Sequence, residues 1–400
     1  MEHQQAIALP HRTATKVALI LSSIDGQVQA ALYMPILALI SQTFKNSPLI
    51  NFSFSVTSGV MVIVIFIAGH LARRFDKRTL MIIGTVLFIA GGFLGSMSPT
   101  AEFLVGTRIL EGVGAGLVYP MVPAITAHLF KEKERTQLMG MLNGGACLIA
   151  FFLNFGAGFL GALFGWRFCL GIYAILAVAI FMQIKYIPRL GPETTISDLV
   201  STTAVKRRLP KAVYLLALAN LAFTCVGQVF NMTLSGFIID TGIGTTTIAG
   251  TAGSIQTLIG FFIGLVFERL IRKLGNFAPV VALLCLSICY FGLSLSTNAL
   301  GVYLSIAFIG MSCGIVFPLL NECVARVTIS ENVTLGMSYV SIGMLLGNFL
   351  CSFWVQFLTN VSGTYIGIFQ ITGTITLVGA IAFAALAVIK SHNTGCKKGK

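Results

Sequence analysis

Charged residues are scarce in this chain. Aspartate, glutamate, lysine and arginine make up 10% of its 400 residues, whereas a soluble domain carries about 25%. Hydrophobic residues account for 56% of the sequence. This composition excludes a water-soluble globular protein and predicts an all-α membrane protein that crosses the bilayer several times.

Motifs that would carry catalytic chemistry are also missing. There is no Gly-x-x-x-x-Gly-Lys-Ser/Thr segment, so a phosphate loop for ATP is excluded. The nine cysteines show no Cys-x-x-Cys spacing and lie mostly in apolar runs, so we interpret them as small core residues. Because no metal-ligand spacing and no Ser-His-Asp set is present, we predict a protein that is not an enzyme and needs no metal or cofactor.

Twelve apolar segments have the length of a membrane-spanning helix. We number them spans 1 to 12, and they cover residues 15–41, 50–72, 80–98, 102–129, 138–163, 167–187, 211–238, 245–267, 277–296, 299–324, 333–358 and 362–389. A polar segment, 189–210, divides them equally. We therefore predict a six-helix bundle at 1–188, a linker at 189–210, a second six-helix bundle at 211–390 and a basic tail at 391–400.

The excess of basic residues, a net charge of +13, lies in the short loops on one side. The loop between spans 2 and 3 is the richest, with Arg73, Arg74, Lys77 and Arg78, whereas the opposite loops hold only Lys45 and Arg167. This pattern sets membrane topology and does not indicate nucleic-acid binding. It predicts a multi-pass protein of the cell membrane with both termini in the cytoplasm.

The two halves repeat each other. Gly26-Gln27-Val28 recurs as Gly227-Gln228-Val229, and Gly116-Leu117-Val118-Tyr119-Pro120 recurs as Gly314-Ile315-Val316-Phe317-Pro318. Asn154-Phe155 likewise matches Asn348-Phe349. Matches in the same order and at nearly one offset predict two parallel repeats that face each other across a cavity, where transporters of this kind bind substrate near the membrane midplane.

With these features the sequence resembles the major facilitator superfamily over nearly its whole length. Span 4 is similar to the drug/proton antiporter branch in its Arg-x-x-Gln and glycine-rich pattern, with Glu111 in place of glutamine after Arg108. The resemblance implies twelve transmembrane helices in two pseudo-symmetric six-helix bundles and a monomer. It also implies a conformational latch at the loops after spans 2 and 8, which we assign to Gly69, Arg74, Asp76, Lys77, Arg78, Glu268 and Arg269.

Three charged residues lie in the central third of the predicted membrane spans: Asp25 in span 1, and Arg108 and Glu111 one turn apart in span 4. Ionisable groups at this depth are costly, so they indicate function. The resemblance brings spans 1 and 4 together, and we predict that Asp25, Arg108 and Glu111 couple protons to transport. A static Asp25–Arg108 pair that only stabilises the bundle is the alternative.

Polar and aromatic residues within the spans are the candidates for substrate binding. They are Gln29, Tyr33, Tyr119, Asn154, Gln228, Asn231, Phe317 and Asn348. Hydrogen bonding between helices is the other interpretation for Asn154 and Asn348, and core packing for Tyr119 and Phe317.

We predict a proton-coupled secondary transporter that exports small amphipathic or cationic organic molecules by alternating access, with membrane lipids and protons as its other partners. The alternative is a proton-coupled importer of a small nutrient. A receptor or scaffold without transport would need additional soluble domains, and the sequence offers only a short linker and tail.

Overall fold

The computed structural model describes residues 11–45, 47–130, 132–190, 209–328 and 333–397, with the side chains of 25–27 among those left outside the description. Most of the predicted spans are single helices. In chain order from span 2 to span 5 these are Leu49–Leu71, Lys77–Ser96, Ala101–Leu129 and Glu132–Phe164, and from span 8 to span 12 they are Thr246–Leu274, Ala278–Leu295, Ala299–Val327, Val333–Ser362 and Tyr365–Lys397.

Spans 1, 6 and 7 are interrupted. Span 1 consists of Arg12–Ser22 and Asp25–Thr43, span 6 of Trp166–Gly171 and Ala177–Tyr186 joined by a 3-10 turn, and span 7 of Lys211–Gly227 and Val229–Asp240. Eleven of the spans in the described part of the chain are long and apolar enough to cross a membrane, and the two helices of span 1 together supply the twelfth. The prediction of an all-α protein with twelve transmembrane helices in two six-helix bundles is confirmed.

The predicted limits are accurate to a few residues except at some polar ends. Span 8 continues beyond its apolar segment to Leu274. Span 12 continues to Lys397, which lies within the predicted tail. Charged residues with good helix propensity follow the apolar part of span 8, where Glu268 and Arg272 form an exposed ion pair at i and i+4. The linker 189–210 lies outside the described residues except at its ends, so the domain limits stay a prediction.

The internal repeat extends to the helix caps. Spans 4 and 10 are both 29 residues long and follow a capping side chain, Thr100 in one half and Asn298 in the other. Each cap accepts a hydrogen bond from the backbone N–H three residues later, and Pro120 and Pro318 occupy equivalent positions within the helices. The two halves therefore build the same helix from matched start signals.

Because the number of spans is even, both ends of the chain lie on one side of the membrane, which we call the terminal side. Near that side each bundle has its own apolar core: Ala18, Leu138 and their neighbours in the first bundle, Ala282 and Val324 in the second. Towards the opposite side, residues of both bundles, among them Ile36 and Phe237, share one core. The bundles are thus separated on the terminal side and joined on the other.

Polar contacts between the bundles support this description. The Ser235 hydroxyl donates to the Pro35 carbonyl oxygen at 2.7 Å and joins spans 7 and 1. The Ser55 and Ser352 hydroxyls are 2.7 Å apart and join spans 2 and 11. All of these residues lie in the half of their spans that faces away from the terminal side, so the bundles are closed against each other on the side opposite the termini.

Candidate functional site

A cavity of about 430 Å³ lies between the bundles, from the middle of the membrane towards the terminal side. Neutral polar and apolar side chains surround it. They are Ser23, Gln29, Ala30, Phe54, Ser58, Met61, Tyr119, Leu142, Ala146, Asn220, Gln228, Phe317, Leu320, Asn321, Val340, Ser341, Met344, Leu345 and Asn348. No acidic or basic residue is among the described residues that line it. The lining suits a molecule with both apolar surface and hydrogen-bonding groups.

Five of the eight predicted substrate residues line this cavity. They are Gln29, Tyr119, Gln228, Phe317 and Asn348, contributed by spans 1, 4, 7, 10 and 11. Tyr119 is 41% exposed, which shows that an aromatic residue in mid-membrane faces open space rather than the core. The Oδ1 atom of Asn348 is buried and has no hydrogen-bond partner among the described residues.

The other three predicted substrate residues are placed elsewhere. Asn154 is buried where spans 5 and 8 meet: its Nδ2 donates to the Ala150 carbonyl oxygen at 2.9 Å, and its Oδ1 is so close to Gly253 that a Cβ there would lie 2.7 Å away. Asn231 is buried and donates to the Gln228 side chain, which itself lines the cavity. Tyr33 lies behind the cavity wall.

Arg108 and Glu111 form an ion pair inside the first bundle. The Nη1–Oε2 distance is 2.5 Å, and the side chains are 1% and 0% exposed. The pair joins two residues of one helix, because positions i and i+3 lie on the same face. Two charges sealed from water in a membrane protein are costly unless they are paired, and such pairs usually serve a function.

Two tyrosines enclose the ion pair. The Tyr173 hydroxyl donates to Glu111 Oε1 at 2.6 Å, and the Arg108 guanidinium lies 5.9 Å from the Tyr173 ring centroid and 4.8 Å from that of Tyr33. The face of an aromatic ring attracts a cation at these distances. The guanidinium is therefore stabilised by the carboxylate and by both rings.

Glycines of span 3 provide the room for this pair. A Cβ on Gly91 would lie 2.5 Å from the Glu111 backbone nitrogen, and one on Gly95 would lie 2.7 Å from Nη2 of Arg108. Spans 3 and 4 can thus approach at the backbone, as small residues permit in lipid. Close packing of two helices, and not the sequence of span 4 alone, seals the ion pair.

Asp25 begins the second helix of span 1, directly after the interruption at Ser23 and Ile24. Its side chain lies outside the described residues, so its predicted approach to Arg108 stays a prediction. Within the described residues, Arg108 is paired with Glu111.

The predicted latch residues lie at the terminal side. Asp76 caps span 3 by accepting from the Thr79 backbone N–H at 3.2 Å, and it also accepts from the Leu190 N–H at 2.9 Å. Arg78 donates to the Ile184 carbonyl oxygen at the end of span 6. Gly69 is exposed with open space around it, Arg74, Glu268 and Arg269 are exposed, and Lys77 is buried. Glu268 pairs with Arg272 rather than with Arg269.

Sequence reasoning missed several polar residues of the site, among them two asparagines and a tyrosine. Asn220 and Asn321 line the cavity, and their signal was an amide within an apolar span, the same signal that identified Asn348. Tyr173 gave no comparable signal, because one tyrosine in an apolar span is ordinary. Only the packing of span 6 against span 3, where Tyr173 lies on Phe88 and Gly92, brings its hydroxyl to Glu111.

The sequence profile of the Major Facilitator Superfamily matches residues 19–328. The chain belongs to this family. The match includes every cavity-lining span except span 11, together with the residues of the buried ion pair.

The curated relatives share only about a quarter of their aligned residues with this chain. The chain is 25% identical over 255 residues to "Multidrug resistance protein MdtL" of Vibrio parahaemolyticus, an alignment that covers 60% of this chain and 64% of the relative. It is 28% identical over 138 residues to the protein of the same name from Escherichia coli O81, which covers 34% of this chain and 35% of the relative. Each alignment thus spans less than two thirds of the relative.

Solved structures share the fold. A nucleoside transporter, NupG, superposes with a TM-score of 0.77 at 12% identity, covering 93% of this chain and 99% of that one. A peptide transporter, POT, gives 0.76 at 16% identity over 93% and 94%, and a D-xylose-proton symporter gives 0.74 at 16% identity over 93% and 97%. The chain therefore shares the overall fold of these three transporters.

Proposed function

We propose that this protein exports small amphipathic or cationic organic molecules across the cell membrane in exchange for protons. The observation that carries the proposal is the separation of two features in one transporter fold: a central cavity with a neutral, mixed polar and aromatic lining, and a sealed Arg108–Glu111 ion pair next to it. The similarity to proteins named for multidrug resistance favours export of such molecules.

The cavity suits the substrate class. Aromatic and aliphatic side chains such as Phe54, Met61 and Phe317 bury apolar surface, while the amides of Gln29 and Asn348 offer hydrogen bonds without demanding a charge. A lining of this kind accepts molecules of varied structure, because few of its contacts require one geometry. It offers no described cationic side chain that would favour an anion.

Proton coupling would use Asp25 together with the ion pair. A nearby guanidinium favours the carboxylate form of an acid. While Arg108 is held by Glu111, Asp25 is available to hold a proton; when the bundles tilt and Arg108 turns towards Asp25, the proton leaves. Export follows if substrate and proton compete, and import by symport follows if each needs the other.

Transport by purified protein in proteoliposomes tests the proposal. With a panel of lipophilic cations and neutral amphipaths, we expect an imposed pH gradient to drive substrate against the direction of proton flow. Asp25→Asn and Glu111→Gln should abolish this gradient-driven accumulation. Glu322→Gln, which removes an exposed ion pair with Arg326, is the matched control and should transport like the wild type.

Two results would contradict the proposal. Substrate movement in the same direction as protons would establish the importer, and undiminished accumulation by Asp25→Asn would remove that carboxylate from the mechanism.

A further inference from the structure

We propose that Tyr33 is the positioning residue through which occupancy of the cavity acts on the Arg108–Glu111 ion pair, an inference that rests on the proposed function. A substrate in the cavity must influence the ion pair if transport is to be coupled to protons. Neither Arg108 nor Glu111 lines the cavity, and their side chains are 1% and 0% exposed. Substrate therefore cannot touch the pair directly in this conformation.

The wall between the cavity and the pair is the segment of span 2 around residues 53–58. Phe54 and Ser58 line the cavity. Thr57, on another face of the same turns, donates its hydroxyl to the Arg108 carbonyl oxygen at 3.2 Å. The single helix of span 2 thus separates the cavity from Arg108 and Glu111.

Tyr33 contacts both sides of this wall. Its ring centroid is 6.0 Å from that of Phe54, and its hydroxyl is 2.5 Å from the Ser53 hydroxyl. The same ring lies 4.8 Å from the Arg108 guanidinium. A ligand that moves Phe54 or the turn at Ser53 therefore displaces the Tyr33 ring, which stabilises the guanidinium.

A neighbouring amide ties the same ring to the substrate site. Gln29 lines the cavity and donates to the Phe54 carbonyl oxygen at 3.3 Å, and it precedes Tyr33 by four residues, on the same face of span 1. A ligand that competes for the Gln29 amide releases this bond. Movement of Gln29 and Phe54 together then changes the position of Tyr33 over Arg108.

The second tyrosine is differently placed. Tyr173 packs against Phe88 and Gly92 within the first bundle and donates to Glu111, and it is not among the cavity-lining residues. The groups that face the guanidinium are thus Glu111 and Tyr173 on one side and Tyr33 on the side of the cavity; the side chain of Asp25 lies outside the described residues. This arrangement assigns the link with the substrate site to Tyr33.

The number of protons released when a ligand binds measures the coupling between the cavity and the ion pair. Purified protein in weakly buffered detergent solution is mixed with tetraphenylphosphonium, and released protons are followed with a pH-sensitive dye while the Kd is measured separately. We expect the wild type to release about one proton per bound cation. Tyr33→Leu should bind with a Kd within about threefold of the wild type but release less than a fifth as many protons.

Conservative variants separate positioning from folding. Tyr33→Phe keeps the ring over Arg108 and should retain most of the release, as should Ser53→Ala, which removes the same hydroxyl contact from the other side. Full release by Tyr33→Leu, or the same loss in Tyr33→Phe as in Tyr33→Leu, would overturn the role of the ring. No release by the wild type would instead overturn the proposed function.

Discussion

Arg108 and Glu111 are one helical turn apart and form an ion pair of 2.5 Å that no water reaches. The pair is local in sequence, but its environment is not, because tyrosines from spans 1 and 6 cover it. A sealed pair of this kind stabilises little when intact and costs much when one partner is lost. Asp25 has no acidic counterpart in the repeat, where Val226 occupies its position, and this asymmetry fits a function added to one half of a symmetric scaffold.

Loss of one partner of this pair should destabilise the protein more than loss of both. Glu111→Gln leaves a buried guanidinium without its counter-charge, and we expect a cost of about 3–5 kcal/mol. The double variant Arg108→Met and Glu111→Gln should recover much of it. Thermal unfolding in detergent measures the effect, with Glu322→Gln as the exposed-pair control at about 0–1 kcal/mol. Equal losses in Glu111→Gln and Glu322→Gln would contradict the buried assignment.

Asn348 should contribute to ligand affinity, because its side chain lines the cavity and its amide oxygen has no hydrogen-bond partner among the described residues. Asn348→Ala is expected to weaken binding of a ligand with a hydrogen-bond donor by about fivefold to tenfold, the effect of one neutral hydrogen bond. Asn360→Ala is the matched control, because this asparagine is exposed on the same helix away from the cavity. Direct binding measurements compare the two, and equal affinities would show that Asn348 does not contact the ligand.

The close contact of spans 5 and 8 should control closure of the side opposite the termini. A Cβ on Gly158 would lie 2.6 Å from the Thr246 carbonyl oxygen and 2.8 Å from the Gly250 Cα. Gly158→Leu should therefore separate the bundles on that side, since the backbone on the facing helix cannot yield as a flexible side chain can.

Spin labels at the exposed positions Gln42 and Thr241, in a variant without the nine native cysteines, would report this opening as a longer distance. Gly156→Leu in the same helix is the control, because open space surrounds that position. Unchanged distances in Gly158→Leu would mean that this contact does not hold the bundles together.

Glu134, at the terminal side, should make the stability of the fold depend on pH. Its carboxylate accepts from Lys16 at 2.8 Å and faces Arg12 at 3.3 Å, and these contacts lower the pKa of Glu134 below its ordinary value of 4.5. Because the pKa is lower in the folded state, the ionised carboxylate stabilises the fold at pH values above its pKa in the unfolded chain. This contribution is lost as the pH falls through the pKa of the folded state. Solvent screening keeps the effect small.

The difference in melting temperature between wild type and Glu134→Gln should accordingly be present at pH 7 and vanish in strong acid. Glu102→Gln, at an exposed glutamate with no ion pair among the described residues, serves as the control. A difference that grows on acidification would have the wrong sign.

Much of the site could be predicted because single residues carried the signal. Amides and aromatics in apolar spans are conspicuous, and five of the eight chosen in this way line the cavity. Tyr33 and Asn154 were predicted to bind substrate but do not line the cavity. Helical spacing predicts on which face of a helix a residue lies, but it does not predict which neighbouring helix covers that face. Tyr173 was missed because a single tyrosine in an apolar span gives no signal, and only packing brings it to Glu111.

The sequence by itself determined the twelve spans, their repeat and the family. Bilayer thickness sets the length of every apolar segment, and the helix signals in each half are local. Only the tertiary structure decided that Arg108 pairs with Glu111, that glycines of span 3 seal the pair, and that the cavity extends towards the terminal side. These depend on how helices rotate and pack against one another, which is a property of pairs of segments distant in sequence.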